Sequence, residues 1–348
     1  MVENVDTIRI GLVGAGANTR LHHIPGFKAI EGVEVVSVCN RSRESGQRVA
    51  QKFGIPNVYD DWTELVAADD TDAICIGTWP YVHSAITLAV LEAEKHVLTE
   101  ARMAMDAAQA RDMLGASRRK PSLVAMVVPS PVTLKYDRTI RELIARGYLG
   151  DVLAIELNGG AGDFMNWEAP YHWRQDRDLS GYNILNMGIW YEALTRWVGR
   201  TSRVMAMTKV NVSRRVDAEG KLRSVSVPDH VDITCEMACG AIAHMRFSSI
   251  SGFNRSPEVW LFGSEGTLKL DVGEGVLMGG RKGEAGLAEI PIPQEKQGGW
   301  RVEEEFINAI RGLEPVTHTS FVDGVKYMEF TEAVTRSAQS GQGISLPL

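Results

Sequence analysis

Residues able to do chemistry fall in two places. The first is Gly14-Ala15-Gly16, directly after the apolar run 8–13. A first glycine allows the tight turn that ends a strand, and a second lets the backbone approach a pyrophosphate. The helix that follows offers unpaired N–H groups to the phosphates, with Ala17 and Asn18 at its start. Thr19 stands where a third glycine is usual, which predicts slightly looser packing of that helix on its strand. A second apolar run ends at Asn40, where an NAD site would carry Asp or Glu for the ribose hydroxyls. The segment Asn40-Arg41-Ser42-Arg43 instead suits a 2′-phosphate, unless both arginines are merely exposed at a helix start. The expected cofactor is NADP or NAD, with a mild lean to NADP.

The second place is the stretch 163–197. It holds Trp167, Tyr171, Trp173, Tyr182, Trp190, Tyr191 and Trp197 in a chain only 7% aromatic. Asp163, His172, Arg174 and Asn186 are interspersed. Aromatic rings stack on the apolar faces of sugars, and convergent polar groups fix the hydroxyls. Tyr182 and Tyr191 are the leading acid/base candidates. A phenol with a pKa of about 10 needs a cationic neighbour to work near neutrality. His172 is the runner-up, being close to the right pKa unaided. The competing expectation is packing against the sheet or a partner subunit, which we prefer for Trp167 and Trp197.

The elements that must position these residues follow from periodicity. Apolar runs at 8–13, 33–39, 73–77, 97–99 and 123–128 alternate with helical patterns at 43–53, 62–68, 82–93 and 105–116. That alternation predicts a parallel sheet with helices on both faces. Beyond a further helix at 136–146, period-two runs at 152–157, 204–212, 231–237, 241–248 and 259–270 predict a mostly antiparallel sheet. A helix-rich insertion at 179–198 interrupts it, and helices at 302–311 and 321–340 close the chain. The expected fold class is α/β: an N-terminal doubly wound parallel sheet in residues 1–122, then an α+β domain with an open, mostly antiparallel sheet in 123–348.

Composition narrows the function. The chain has 348 residues, 44% of them hydrophobic, and a net charge of −7 without a basic stripe, which argues against nucleic acid or a membrane surface as partner. No apolar run reaches the roughly 18 residues of a membrane span. The start lacks a secretory pattern. Cys39 and Cys75 lie in strand-like runs, and Cys235 and Cys239 lack companions at metal spacing, so no metal site is expected and the chain reads as reduced and cytoplasmic.

The segments GLVGAGANTRLHHIPGFKAI, FGIPNVYDDWTEL, AICIGTWPYVHSAITLAVLEAEKHVLTE and LFGSEGTLKLDV carry a resemblance over nearly the whole chain. It resembles the glucose-fructose oxidoreductase / inositol dehydrogenase / MocA (Gfo/Idh/MocA) family. The resemblance implies a Rossmann domain, an open-sheet domain and a nicotinamide lying between them, over the aromatic stretch. It also implies oxidation or reduction of a sugar or cyclitol hydroxyl, and a homodimer or homotetramer formed through the open sheets. Thr78 and His83 keep the family's turn beside the cofactor, although Trp79 replaces its proline. His22 and His23 are expected along the first helix beside the pyrophosphate. Glu100 keeps the first position of the family's Glu-Lys-Pro, whereas Ala101 stands at the lysine and Arg102 follows. Asn186 and Trp190 stand where the family has Asp and His. Arg102, Asp163, Trp173, Arg174, Asn186 and Trp190 are therefore the expected substrate contacts.

Hydride removal from an alcohol needs a group that takes the hydroxyl proton, a contribution of roughly 10²–10⁴-fold. Neither Ala101 nor Trp190 supplies it. The first expectation is thus an oxidoreductase acting on a sugar, cyclitol or glycoside with a substitute proton acceptor. The alternatives are a redox-neutral NAD-dependent glycoside hydrolase or lyase, and a catalytically decayed nucleotide-binding protein.

Overall fold

The structure is a computed structural model and describes residues 7–160, 162–254 and 257–348. The chain forms two compact units, one of Met1–Pro129 with Arg301–Val325, the other of Ser130–Trp300 with Lys326–Leu348. This corrects the expected division at 122/123. The strand expected at 123–128 belongs to the first sheet, and residues 301–325 return to the first unit.

In the first unit, strands β1 (Ile8–Val13), β2 (Val33–Cys39), β3 (Asn57–Tyr59), β4 (Ala73–Ile76), β5 (His96–Thr99) and β6 (Ala125–Val127) pair in the order β3-β2-β1-β4-β5-β6. Every pairing is parallel. Both faces of such a sheet are covered, so β4 is buried at all four positions and reads as an unbroken apolar run. The intervening helices are α1 (Ile24–Lys28), α2 (Arg43–Phe53), α3 (Trp62–Ala67), α4 (His83–Glu92) and α5 (Ala107–Arg119). Ser42, Asp61 and Asp106 cap α2, α3 and α5 through their side chains, and Gly54 ends α2 in the left-handed region at φ 63°. The strand order reverses between β1 and β4, the switch point where ligands bind in open α/β sheets.

The returning segment is bonded into this unit. The amide of Val127 donates to the carbonyl of Thr319 at 3.0 Å. Buried Glu305 accepts from the amides of Thr317 and His318 and from the His318 ring. Burial would raise the Glu305 carboxyl, but these partners hold it down at about 2. Phe27 and Phe306, both fully buried, meet edge to face at 6.4 Å. Each such ring contributes roughly 1.5–3 kcal/mol through burial.

The second unit begins with α6 (Leu134–Ala145) and β7 (Val152–Asn158), followed by the short helix α7 (Arg177–Ser180) and α8 (Met187–Val198). Strands β8 (Thr201–Lys209), β9 (Arg214–Val216), β10 (Leu222–Ser224), β11 (His230–Met237), β12 (Ile242–Ser248), β13 (Glu258–Gly263), β14 (Gly266–Asp271), β15 (Val276–Arg281) and β16 (Ala288–Glu289) come next. Helix α9 (Val302–Ile310) belongs to the first unit; α10 (Phe321–Ser340) and β17 (Ile344–Ser345) end the chain. Nine strands form one sheet in the order β16-β15-β14-β13-β7-β12-β11-β8-β17, and β9 pairs with β10 separately. Within this sheet only the β7–β12 pairing is parallel among the described residues. The apolar run 259–270 is two strands rather than one, because Ser264-Glu265 turns the chain. Strand β11 alternates buried and exposed residues, with Val231, Ile233, Cys235 and Met237 inward. An Ile233→Asp substitution would bury an unpaired charge on that face.

Candidate functional site

The first unit builds a cradle at the ends of β1, β2 and β4. Gly14 has φ +85°, which a side chain rarely adopts, and a Cβ there would lie 2.6 Å from Thr78 Cγ2 and 2.8 Å from its amide nitrogen. The turn is held by two bonds: the Gly14 amide donates to Cys39 O at 2.8 Å and the Ala15 amide to Asn40 Oδ1 at 2.7 Å. Gly16 and Ala17 are exposed where the helix begins. The expected loosening at Thr19 does not occur. Thr19 is buried and its hydroxyl donates to Gly14 O at 3.2 Å. The space comes from Gly77, whose absent Cβ would sit 2.1 Å from Thr19 Oγ1. The missing third glycine has moved to the neighbouring strand end. Thr78 Oγ1 is buried without a hydrogen-bond partner among the described residues. A glycine cradle with exposed helix-start amides and an unpaired hydroxyl fits a dinucleotide pyrophosphate.

Around the cradle, Asn40 Nδ2 donates to Ser45 Oγ at 3.1 Å, so its carboxamide locks β2 to both the turn and α2. The Arg41 guanidinium lies over Trp79, 5.6 Å from the ring centroid, whereas Arg43 is paired with Asp60 at 2.5 Å. His83 is buried between two carbonyls, Thr78 O and Arg102 O, each 3.1 Å from a ring nitrogen, and burial lowers its pKa. It therefore ties two loops together and reaches the site only through Thr78 and Arg102.

Glu100, at the end of β5, accepts from Asn18 Nδ2 and lies 3.0 Å from His23 Nε2. Glu303 lies 2.5 Å from His23 Nδ1. The His23 side chain is fully buried, so it does not line the pyrophosphate as expected. A neutral imidazole has one N–H and could satisfy only one of these carboxylates. Burial opposes the second proton, but hydrogen bonds and charge from Glu100 and Glu303 prevail and raise His23 to about 9. Burial would likewise raise Glu100, yet His23 and Asn18 hold it below its usual range. Glu303 had no signal in the sequence, since it stands 280 residues from its partner. Arg102 is buried at 5% exposure.

The second unit sorts the aromatic stretch into core and surface. Tyr191, an expected acid/base residue, is a core side chain. It is 1% exposed, stacks on Phe330 with centroids 3.7 Å apart, and accepts from the Thr201 amide at 2.9 Å. Burial pushes its phenol up to about 12. Trp190, also 1% exposed, packs against Gly159, where a Cβ would lie 3.0 Å from the indole. It fills the core instead of facing a ligand. Asn186 donates to Gly159 O at 3.0 Å and fixes the start of α8 to the end of β7. Trp197 donates to Asp137 at 2.7 Å inside a buried network with Arg196 and Glu192, the packing role expected of it. Trp167 is 63% exposed, which departs from the packing expectation within this chain.

The surface set is Asp163, His172, Trp173, Arg174 and Tyr182. His172 caps the turn Trp173–Gln175: its Nδ1 accepts from the Arg174 amide at 3.2 Å while Gln175 accepts from the His172 amide at 3.0 Å. Nδ1 is thus an acceptor and the proton sits on Nε2. Partial burial and Arg174 lower its pKa. In this state His172 donates a hydrogen bond outward and cannot act as a base at Nε2. Arg174 stacks on Trp173 at 4.3 Å, and Asp163 is exposed. Tyr182 is half-buried under the Arg177 guanidinium at 5.5 Å. The structure brings His172, Trp173 and Arg174 into contact with one another and Tyr182 against Arg177.

Residues 8–127 match the oxidoreductase family with an NAD-binding Rossmann fold, and residues 138–269 match the GFO/IDH/MocA C-terminal domain. The chain belongs to the Gfo/Idh/MocA family. Among its relatives, levoglucosan dehydrogenase of Pseudarthrobacter phenanthrenivorans is 23% identical over 99% of each chain. An uncharacterised oxidoreductase of Rhizobium meliloti is 26% identical over 60% of this chain, which spans 61% of that protein's length. The solved structure of levoglucosan dehydrogenase in complex with NADH and levoglucosan superposes with a TM-score of 0.85 at 20% identity, over 99% of this chain and 100% of that one. This likeness shows the fold. The family resemblance sets Ala101, Asn186 and Trp190 at the positions where lysine, aspartate and histidine are expected. Ala101 has no proton to exchange, Asn186 is engaged with a backbone carbonyl, and Trp190 is in the core. Among the described residues no helix is long and apolar enough to cross a membrane.

Proposed function

We propose that this chain is a nicotinamide-dependent oxidoreductase acting on a hydroxyl of a sugar, cyclitol or glycoside, with Tyr182 handling the proton. The observation that carries the reading is the glycine cradle: Gly14, Gly77 and Thr19 interlock so closely that backbone is left to meet the phosphates. Gly14, Gly16, Ala17 and Asn18 would hold the pyrophosphate, Asn40 the adenosine ribose, and Arg41 a 2′-phosphate on that ribose. Glu100, fixed by Asn18 and His23, would hold the nicotinamide end. A bound nicotinamide would supply hydride transfer at its ring carbon.

The residues of this chain supply the rest. In the second unit, Trp173 offers a ring face, and His172 Nε2–H, Arg174 and Asp163 offer groups for hydroxyls. Tyr182 would take the hydroxyl proton at its phenol oxygen, passing its own proton on, as the carbon–hydrogen bond gives up its hydride, with the reverse in the other direction. A sugar-like substrate accords with relatives named for levoglucosan. NADP is favoured over NAD because Asn40, neutral and already engaged, replaces the acidic ribose partner, and because Arg41 stands beside it. A homo-oligomer formed through the open sheet is part of the proposal.

The test is titration with NAD and NADP by calorimetry, then turnover followed by nicotinamide absorbance with levoglucosan and related cyclic polyols. Binding of a dinucleotide with absorbance change in proportion to product is expected. Absence of binding by either dinucleotide would overturn the reading.

A further inference from the structure

Two side chains reach towards each other across the glycine turn. The sheet order places β1 between β2 and β4. Arg41 follows Asn40, which bonds the Ala15 amide from the β2 side. Trp79 follows Thr78, which abuts Gly14 from the β4 side. Their side chains meet with the guanidinium 5.6 Å from the indole centroid, and Tyr81 flanks the indole at 6.5 Å. The cations here are used differently. Arg43 is spent on Asp60. Arg41 makes no ion pair among the described residues; its partner is a neutral ring face. An indole face attracts a guanidinium without using its N–H donors.

Deepening the cofactor reading, on which it rests, we infer that Trp79 is a specificity-determining residue: it holds Arg41 in place across the glycine turn so that the guanidinium edge receives a 2′-phosphate on the adenosine ribose. In a dinucleotide domain the adenosine ribose would be held at the end of β2, by Asn40, one residue from Arg41. A guanidinium already confined by a ring contact loses less freedom when an anion arrives. Its planar fork matches a phosphate with two parallel hydrogen bonds. Glu44 strengthens the need for this device. It bonds Ser42 and its own amide at the start of α2, so it places a carboxylate where a helix end would otherwise attract phosphate. Arg48 also acts on Glu44 from the next turn of α2, and Arg41 is the cation next to Asn40 that can offset it at the turn.

The probes are 2′,5′-ADP and 5′-AMP, titrated calorimetrically into the full chain. The wild type is expected to bind 2′,5′-ADP at least tenfold more tightly than 5′-AMP. Arg41→Ala is expected to weaken 2′,5′-ADP roughly ten- to hundredfold, the size of hydrogen bonds to a charged group, with 5′-AMP unchanged. Trp79→Ala is expected to weaken 2′,5′-ADP roughly two- to fivefold, the size of an exposed cation–π contact, again with 5′-AMP unchanged. Trp79→Phe keeps most of the affinity, and Trp79→Ala adds nothing in the Arg41→Ala background. Unchanged 5′-AMP binding certifies that each variant has folded. The inference fails if Trp79→Ala leaves 2′,5′-ADP binding intact, or weakens both probes alike, or acts equally with and without Arg41. Equal wild-type affinity for the two probes would sink this inference alone. A wild type that binds neither probe nor either dinucleotide would sink the cofactor reading itself.

Discussion

The glycine turn of the first unit and the aromatic stretch of the second were both expected to do chemistry, and they fared differently. At the turn, the chemistry is a property of the backbone. It needs φ +85° at Gly14 and no Cβ at Gly77, and few sequences meet such demands. In the stretch 163–197 the chemistry is a property of side chains whose types serve two purposes. A tyrosine or tryptophan fills a core as readily as it lines a pocket. Burial decides between them: Tyr191 and Trp190 went inside, while Tyr182, Trp173 and His172 stayed accessible. Glycine spacing is therefore a sharper witness to function than aromatic density.

The largest test of this contrast is Tyr182→Phe, which should lower turnover by roughly 10²–10⁴-fold while leaving dinucleotide affinity unchanged. Retained turnover would move the proton handling elsewhere and leave the second region without a catalytic group. In the first region, the buried His23 makes stability depend on pH. Its folded pKa, about 9, lies above the ordinary 6.5, so its contribution is fully present below pH 6.5 and is lost as pH rises through 9. The loss is on the order of 3 kcal/mol, read by denaturant unfolding across that interval. Glu303→Gln should flatten the slope, and an identical slope in that variant would refute the assignment.

Next comes Gly77→Ala. Its new methyl meets Thr19 Oγ1 and Gly14 O, the latter at 2.2 Å. Overpacking of this kind costs roughly 1–3 kcal/mol, and dinucleotide affinity should fall with it. An unaffected dissociation constant would show that the turn is more forgiving than the geometry states. The smallest effect belongs to Tyr191→Phe. It leaves the Thr201 amide without its acceptor, for about 1 kcal/mol of stability, and turnover should be unchanged. Any rate loss at matched stability would return Tyr191 to the site.

Much of the fold was legible because its signals are local. The run Ile8–Val13, the turn after it and the capped helix Arg43–Phe53 each declare themselves within a dozen residues. Period-two alternation revealed β11 and β12 but missed the break at Ser264-Glu265, where apolar residues resume after a turn of two polar ones. What stayed hidden depends on distant partners. Nothing near Glu303 announces His23, and nothing near Thr19 announces that Gly77 makes room for it. The sequence also ranked Tyr182 and Tyr191 together as acid/base candidates, because residue type cannot say which neighbours a ring will find.

The membership of Arg301–Val325 in the first unit has a consequence for synthesis. A chain emerging from the ribosome presents the β1 turn early, yet the carboxylate that completes the imidazolium's pair lies near the far end. The first unit thus stays unfinished until Arg301–Val325 has been made, and the second, which takes Lys326–Leu348, is completed later still.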